Sequence, residues 1–435
     1  MVFGKGKRVL VVGGGLTAAA LSSLLRSAGV NVVAWDKARR PGGRLTTHRR
    51  PGDGAAVQKV DLGGQYISVS GDYRDLHAGH YEALVKDGLL KSLNGKAPPA
   101  QDREEIGDRV AAAQAGYSEK ASRPVALDHL YIKQPEEEGD PISLVMTDNY
   151  VAPLGTEVGC SDRYEINILI RSLSISQRPK RKLNHLILQE IVQDYWNHSG
   201  VELEVLRPLE KLNLVTSNCP FTNGKWLATG AGKEEEFEAV VTTMPVPQLL
   251  ATPPRPEGYI EGNFLEVVPQ DLLVKLKAVR YNSVFCLGVF FDVDVAEGLG
   301  IKWKSKYFPD DPVIRYVSFD NSRRGDSSAP TSICVQSHVS FAEKNLQKTK
   351  QEMAEPLMDA LYHLLPELPP PSSLVSHKWR YSQTSVPFEG TPGAVVLHQS
   401  PTLIAAGDSF SHSNFDGCIA SAHAANKLLK KIMAS

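Results

Sequence analysis

Cysteine is scarce in this chain. There are five among 435 residues, Cys160, Cys219, Cys286, Cys334 and Cys418, scattered, odd in number and without C-x-x-C spacing. That argues against both a disulfide framework and a zinc site. Net charge is almost absent as well, at −1, so nothing points to nucleic acid or to an acidic membrane surface as partner. No run of about 18 apolar residues occurs, and no transmembrane helix is expected. Lys5, Lys7 and Arg8 precede an apolar run, as in a signal peptide. Three glycines interrupt that run, however, and cleavage would remove the strand described next, so a cytoplasmic chain is expected. What is plentiful is apolar side chain, 42% of residues, in a length that predicts two or three domains.

The most informative stretch runs from Arg8 to Thr47. Val9–Val12 is short and β-branched, as in a buried strand. Gly13, Gly15 and Ala18 follow at G-x-G-x-x-A spacing, and 16–28 reads as a helix with Leu21, Leu24 and Leu25 on one face, stopped by Gly29. Asn31–Trp35 reads as a second strand with Asp36 at its end. Gly13 permits the tight turn, Gly15 lets a pyrophosphate approach the backbone, and Ala18 allows close helix–strand packing. The helix start offers free N–H groups and partial positive charge. Asp36 can accept from both ribose hydroxyls and disfavours a 2′-phosphate. The unit predicts dinucleotide binding. Gly42-Gly43-Arg44 follows almost at once. Two small residues and a potentially bidentate phosphate partner resemble the flavin-binding signature of the amine oxidase and hydroxylase group, which selects FAD. The alternative is a basic surface loop, given Lys37, Arg39, Arg40, Arg49 and Arg50 nearby.

Further along, Val60–Ile67 places Gly63-Gly64 beside Gln65 and Tyr66. Those two side chains would face a flavin ring, or the segment is an ordinary strand with a bulge. A helix is predicted over 73–93, and a solvated, Pro/Gly/charge-rich insertion over 95–142. Strand-like order returns over 145–154. An odd segment, 156–182, ends in the cationic run Arg178–Lys182, read as a charged loop or a nuclear-import patch. Then come an amphipathic helix (183–196), strands at 201–206, 209–215 and 226–229, a turn or connection at Glu234–Glu236, and a buried strand at 237–243. Asn197-His-Ser199 is a glycosylation sequon, relevant only in a secretory setting. Residues 252–275 are Pro-rich and then helical. Strands at 284–292, 314–320 and 332–339 follow without intervening helices, which predicts an antiparallel sheet. A helix at 351–365, a strand at 375–380, a strand at 402–406 and a final helix at about 415–432 complete the chain.

The C-terminal strand, Gly407-Asp408 and helix repeat the logic of the N-terminal motif. Asp408 can accept from a ribityl hydroxyl, and the N–H groups around Gly417 and Cys418 can direct positive potential at the flavin N1/O2 edge. The alternative is a plain strand-to-helix turn with Asp408 as N-cap.

Together, VVGGGLT (11–17), WDKARRPGGRLTT (35–47), DLGGQYI (61–67), NYVAP (149–153), TMPVP (243–247), RYVSFDN (315–321), KWRYSQ (378–383) and GDSFSHSNFDGCIASA (407–422) resemble the renalase family, FAD-dependent oxidases related to the flavin amine oxidases. The resemblance implies an α/β chain with a Rossmann-like FAD-binding domain and a mixed or antiparallel-sheet substrate domain, as in p-hydroxybenzoate hydroxylase. The FAD domain would comprise 1–94, 183–250 and 385–435. Residues 95–155 would hold an insertion and one substrate-domain strand, 156–182 a loop insertion, and 251–384 the substrate domain. By the same resemblance Thr17, Asp36, Arg44, Gln65, Tyr66 and Asp408 contact FAD, and the Leu209 backbone holds the adenine. FAD is expected to be non-covalent, since no Cys or His attachment context is evident. The chain departs from the family where 156–182 separates Val151-Ala-Pro-Leu-Gly155 from the next helix. An external loop, or a stretch absent from the mature protein, is expected there.

The family activity implied is oxidation of the 1,2- and 1,6-dihydro isomers of NAD(P)H to β-NAD(P), with O2 reduced to hydrogen peroxide. A dihydropyridine is already a hydride donor, so no catalytic base is required, and none is evident; His338, His398 and His412 read as structural. Trp379 and Phe285 are candidate substrate walls and Arg380 a candidate for orienting the substrate, while Trp379 reads equally as core. Two other classes compete: an amine oxidase acting on catecholamines or polyamines, and a non-enzymatic signalling protein secreted by a non-standard route, a role the family resemblance also admits.

Overall fold

Every residue of the run Val9–Val12 is buried in the computed structural model of the chain, as a strand covered on both faces requires. The structure describes residues 7–51, 58–67, 71–90, 144–147, 150–153, 188–215, 224–250, 258–324 and 329–433. The expected insertions 95–142 and 156–182, the cationic run 178–182, Cys160 and Cys219 lie outside these. The chain divides into two units, one built from 1–46, 188–282 and 381–435, the other from 47–187 and 283–380.

In the first unit Arg8–Val12 is flanked in parallel by Asn31–Trp35 and Ala239–Thr242. Thr402–Ala406 adds parallel to Ala239–Thr242, Leu203–Glu204 adds parallel to Asn31–Trp35, and Ala394–His398 closes one edge antiparallel. The helices Leu16–Ser27, Leu188–Ser199 and Phe415–Met433 pack together, the first touching both others. A three-stranded antiparallel sheet of Lys211–Val215, Lys225–Gly230 and Lys233–Phe237 joins this unit. Trp35, Trp226, Phe237 and Leu10 share one apolar core, and the indole N–H of Trp226 is satisfied by the carbonyls of Pro401 and Thr402, at 3.1 and 3.0 Å.

The second unit holds a five-stranded sheet in the order Ser305–Tyr307, Ile314–Phe319, Ser332–Ser337, Arg280–Phe290, Ser373–Val386. One face carries Phe285, Leu287, Val317, Ile333 and Val335 against Leu357 and Leu361 of the helix Ala354–Leu364. The other carries Cys286, Phe290 and Cys334 against Val60 and Leu62. A hairpin of Thr47–Arg49 and Lys59–Asp61 belongs here, as does the antiparallel pair Leu144–Thr147 and Tyr150–Pro153. This is the α/β architecture expected: a Rossmann-like parallel-sheet unit and an antiparallel-sheet unit.

Several local expectations are corrected. Glu234–Glu236 is not a turn but the middle of the strand Lys233–Phe237; the turn is Ala231-Gly232, both at positive φ. An edge strand can carry a run of charge on its open side. The strand expected over 201–206 pairs only at Leu203–Glu204. The helix expected over 73–93 is two, Gly71–Arg74 and Ala78–Lys86. The segment 375–380 and the polar residues after it form one strand, Ser373–Val386. Residues 260–281 fall with the first unit, because Ile260, Phe264 and Leu276 pack into its tryptophan core. Residues 47–90 fall with the second, where Asp61 joins the ion network described below.

Candidate functional site

In the first unit the N-terminal turn is built by three glycines with three different reasons. Gly13 has φ +126°, and a Cβ there would lie 2.3 Å from Thr243 Oγ1. A Cβ on Gly14 would lie 2.0 Å from an Asp36 carboxylate oxygen. Gly15 is different, since a Cβ on it would meet only Gly43 Cα, at 3.9 Å. Its backbone packs closely on that of Gly43, where a Cβ would lie 3.1 Å from Gly15 Cα. The first intrahelical bond runs from the Ala19 N–H to the Gly15 carbonyl, at 3.1 Å. The N–H groups of Leu16, Thr17 and Ala18 therefore have no partner within the helix. Gly15 supplies no side-chain cap and the first turn holds no acid. Asp36 sits at the adjacent strand end; burial raises its pKa, opposed by hydrogen bonds from the backbone of Ala38 (2.8 Å) and Gly14.

Arg44 and Asp408, each assigned to the cofactor on sequence grounds, are joined to each other. The guanidinium makes a bidentate pair with the carboxylate, one arm at 2.7 Å, and also donates to the Ser382 carbonyl at 3.2 Å. The hydroxyls of Ser413 and Thr384 donate to the same carboxylate at 2.5 and 3.3 Å. Burial alone would raise the Asp408 pKa, but Arg44 and these donors hold it below the usual carboxylate range. The same pairing outweighs burial at Arg44 and raises its pKa.

The C-terminal helix does not repeat the N-terminal arrangement. Its N-cap is Asn414, not Asp408. The Gly417 N–H donates to Asn414 Oδ1 at 2.7 Å and the Cys418 N–H to the Asn414 carbonyl at 3.2 Å. Both amides expected to address the flavin edge are thus already used. A Cβ on Gly417 would lie 1.9 Å from the His412 carbonyl oxygen, so this glycine serves close packing. The Cys418 thiol is hydrogen-bonded to Thr17, and burial pushes it up to about 12. Gly407, at φ +124°, donates its N–H to Ser421 Oγ at 2.7 Å. Leu209 is 3% exposed, its side chain in the tryptophan core. Nearby Arg207, which no local pattern singles out, donates its N–H to the Asp36 carbonyl at 2.8 Å and lays its guanidinium 3.8 Å over the Trp35 ring. Asn414 had a legible signal, Asn directly before a helix with Gly three residues on; Thr384 and Ser413 had none.

In the second unit Gln65 is buried, with its amide nitrogen on the carbonyls of Asp61 and Gly63 and its oxygen accepting from Ser318 Oγ at 3.2 Å. Its side chain is therefore spoken for within the protein. Asp61 and Asp320 form a buried network with Arg323 and Arg324 at 2.7 to 3.4 Å, and Arg323 also donates to the Gln65 carbonyl at 2.6 Å. Tyr66 hydrogen-bonds the Tyr307 hydroxyl at 3.0 Å. Trp379 is half-buried, anchored by its indole N–H to the Leu62 carbonyl at 2.8 Å, and lies 4.0 Å from the His377 ring. Phe285, at 1% exposure, is a core residue, not an open wall. Arg380 accepts a bond from Ser283 Oγ through its carbonyl. The imidazoles of His338 and His398 each engage a backbone carbonyl.

The residues of the first unit fit an FAD. An uncapped helix start and a strand-end acid are the donors and the acceptor that a pyrophosphate and its ribose need. Comparison with known proteins agrees. A family model described as a NAD(P)-binding Rossmann-like domain matches residues 11–80, and one described as flavin containing amine oxidoreductase matches 174–429, more than half of the chain. Renalase of Mus musculus is 28% identical over 430 residues, covering 98% of this chain and 99% of that protein. Flavin-containing amine oxidase B of Homo sapiens is 33% identical over 96 residues, 21% of this chain and 18% of that one. Among solved structures, a putrescine oxidase bound to putrescine aligns at a TM-score of 0.58 with 12% identity, covering 99% of both chains. That last likeness speaks to the fold.

Proposed function

The chain belongs to the flavin-containing amine oxidoreductase family, with FAD as its cofactor, and from that premise we propose that it is an oxidase of dihydropyridine dinucleotides. The substrates are the 1,2- and 1,6-dihydro isomers of NAD(P)H, converted to β-NAD(P), with O2 taken to hydrogen peroxide. FAD, when bound without a covalent link, supplies the two-electron acceptor. The donor gives up one hydride and regains an aromatic ring; O2 receives two electrons and, with one further proton from solvent, leaves as hydrogen peroxide.

The extent of the likeness supports this choice over amine oxidation: the renalase of Mus musculus matches 98% of this chain, the flavin-containing amine oxidase B of Homo sapiens 21%. Three titratable side chains of the antiparallel-sheet unit are in keeping with it. Burial and the neighbouring tyrosines push Tyr66 well above its ordinary value. Burial pushes Tyr307 up to about 12. Burial, then His48 and Lys350, lowers His377 to about 3. A group that moves a proton in catalysis works best with a pKa near the operating pH, and these do not have one. They suit a donor that reacts without acid or base and needs only a dry, shaped surface.

The family model itself keeps amine oxidation as the second reading. The deciding experiment is anaerobic mixing of the yellow protein with 6-dihydro-NAD or with an amine, followed by flavin absorbance. Rapid bleaching by 6-dihydro-NAD is the expected result; faster bleaching by an amine would overturn the proposal.

A further inference from the structure

In the strand Ile314–Phe319 the register slips by one residue. Ile314 is opposite Ser337, and Tyr316 is opposite Gln336, so Arg315 is the extra residue of a β-bulge. Without the slip Arg315 would alternate onto the face away from Tyr316. A bulge turns both of its residues toward one side and is a common device for re-aiming a side chain. The two faces differ sharply here. Ile314, Val317 and Phe319 are in the aliphatic core beneath the helix Ala354–Leu364. Tyr316, Ser318 and Gln336 are on the opposite, polar face, where Ser318 meets Gln65 and Gln336 Nε2 donates to the Gly63 carbonyl at 2.9 Å.

The guanidinium of Arg315 is half-buried there, with its Nε–H buried and lacking a hydrogen-bond partner. Among the described residues no carboxylate pairs with it. The groups its charge reaches are the hydroxyls of Tyr66 and Tyr307 and the thiol of Cys286. Tyr307 is directly opposite Tyr316 across the sheet, the two rings 4.8 Å apart, and Tyr307 shares a hydrogen bond with Tyr66. The Arg315 charge reaches both Tyr66 and Tyr307, where it opposes the effect of burial. Arg323 and Arg324 of the same unit, by contrast, have Asp61 and Asp320. A guanidinium withheld from such pairing, set among O–H donors and aimed by a bulge, is a receptor for an anion.

We propose that Arg315, with the Tyr66–Tyr307 hydroxyl pair, is the subsite for the pyrophosphate of the dinucleotide donor. This rests on the dihydropyridine oxidase reading and deepens it, because it makes the donor's phosphates, rather than its ring alone, a determinant of specificity. Charge-assisted contacts of this kind make a difference of about 10- to 100-fold.

The test uses the FAD-loaded protein and two donors with the same ring, 6-dihydro-NAD and the phosphate-free 1,6-dihydronicotinamide riboside. In the unsubstituted protein, KM for the dinucleotide should rise with salt while that for the riboside stays flat. Arg315→Met should raise KM for the dinucleotide about 10- to 100-fold and leave the riboside within about twofold, with an unchanged flavin spectrum; Arg315→Lys should recover part of the loss. The salt comparison needs no variant, so poor folding of Arg315→Met would leave the inference exposed to refutation. Equal responses of the two donors overturn it, and so does loss of bound flavin in both variants, which would assign the guanidinium to the cofactor. A yellow protein bleached by neither donor removes the functional reading and this inference with it; bleaching by both, with equal salt dependence, removes the inference alone.

Discussion

Two strand-to-helix turns of the parallel-sheet unit share an outline and differ in what has claimed their amides. At the first, Gly15 precedes the helix Leu16–Ser27 with no side-chain cap, and a Cβ on it would make only an ordinary contact with Gly43 Cα, at 3.9 Å. At the second, Asn414 caps the helix Phe415–Met433 through both its side chain and its carbonyl, and Gly417 is pressed against the His412 carbonyl. Both turns follow a buried parallel strand and contain glycine, but only the first lacks a side-chain cap on its helix-start donors. The second is a closed structural corner. It carries Asp408, and through it clamps Arg44, Thr384 and Ser413 together. A glycine-rich turn is therefore identified as a phosphate site by the helix-start donors it leaves uncapped, not by the glycine.

The largest break in this comparison should come from Gly417→Ala. The added methyl must displace backbone, so a loss of about 3 kcal/mol is expected, as for severe overpacking. Urea denaturation should show the same loss with and without FAD. Gly15→Asp should do the reverse. Aspartate is a good N-cap and its charge suits the helix start, so the apo protein should keep or slightly gain stability. FAD affinity should fall by about 100-fold, or roughly 2.7 kcal/mol, because the carboxylate occupies and repels the phosphate position. Fluorescence titration with FAD measures the second effect. A stable Gly417→Ala, or a Gly15→Asp that stays fully yellow, would erase the distinction between the turns.

Asp408→Asn is the next step down. It takes the charge partner from Arg44, whose side chain is 31% exposed, so solvent tempers the cost to about 1–2 kcal/mol. The pH dependence has a definite sign. The carboxylate is held below its usual value, so its stabilisation is complete above an unfolded pKa of about 3.9. It drains away as pH falls through the lower folded value. Denaturation midpoints between pH 5 and pH 3 should fall more steeply for the unsubstituted protein than for Asp408→Asn.

What the sequence made legible follows from range. The unit Arg8–Asp36 is contiguous, and its strand, turn, helix and strand were each readable from local pattern. So was Asn414-x-x-Gly417 in principle, although the glycine drew attention away from the asparagine. Arg44 and Asp408 are 364 positions apart, and no local pattern says that two residues suited to a ligand will satisfy one another instead. Gln65 illustrates the same effect: its position beside Gly63-Gly64 suggested an outward amide, and Ser318, 253 positions away, takes its oxygen. Phe285 looked like a stacking surface because an aromatic side chain in a strand serves equally in a wall or a core. The partner sheet residues decided for the core. Glu234–Glu236 read as a turn because charge in a row suggests solvent, while the edge position that permits it exists only once the sheet is assembled.

The smallest effect tests the comparison most finely. Asn414→Ala removes the side-chain acceptor of the Gly417 N–H but leaves the backbone path intact. The expected cost is about 1 kcal/mol, the usual value of an N-cap, with Asn414→Asp restoring most of it. The closed-corner reading requires that nothing else change, since the Cys418 N–H still has the Asn414 carbonyl. The flavin spectrum and reduction potential of Asn414→Ala should therefore match the unsubstituted protein. If the freed Gly417 N–H instead raised the potential, the amides of the second turn would be within electrostatic reach of the flavin after all. The two turns would then differ in degree of capping rather than in kind, and the C-terminal helix would regain the role that its sequence first suggested.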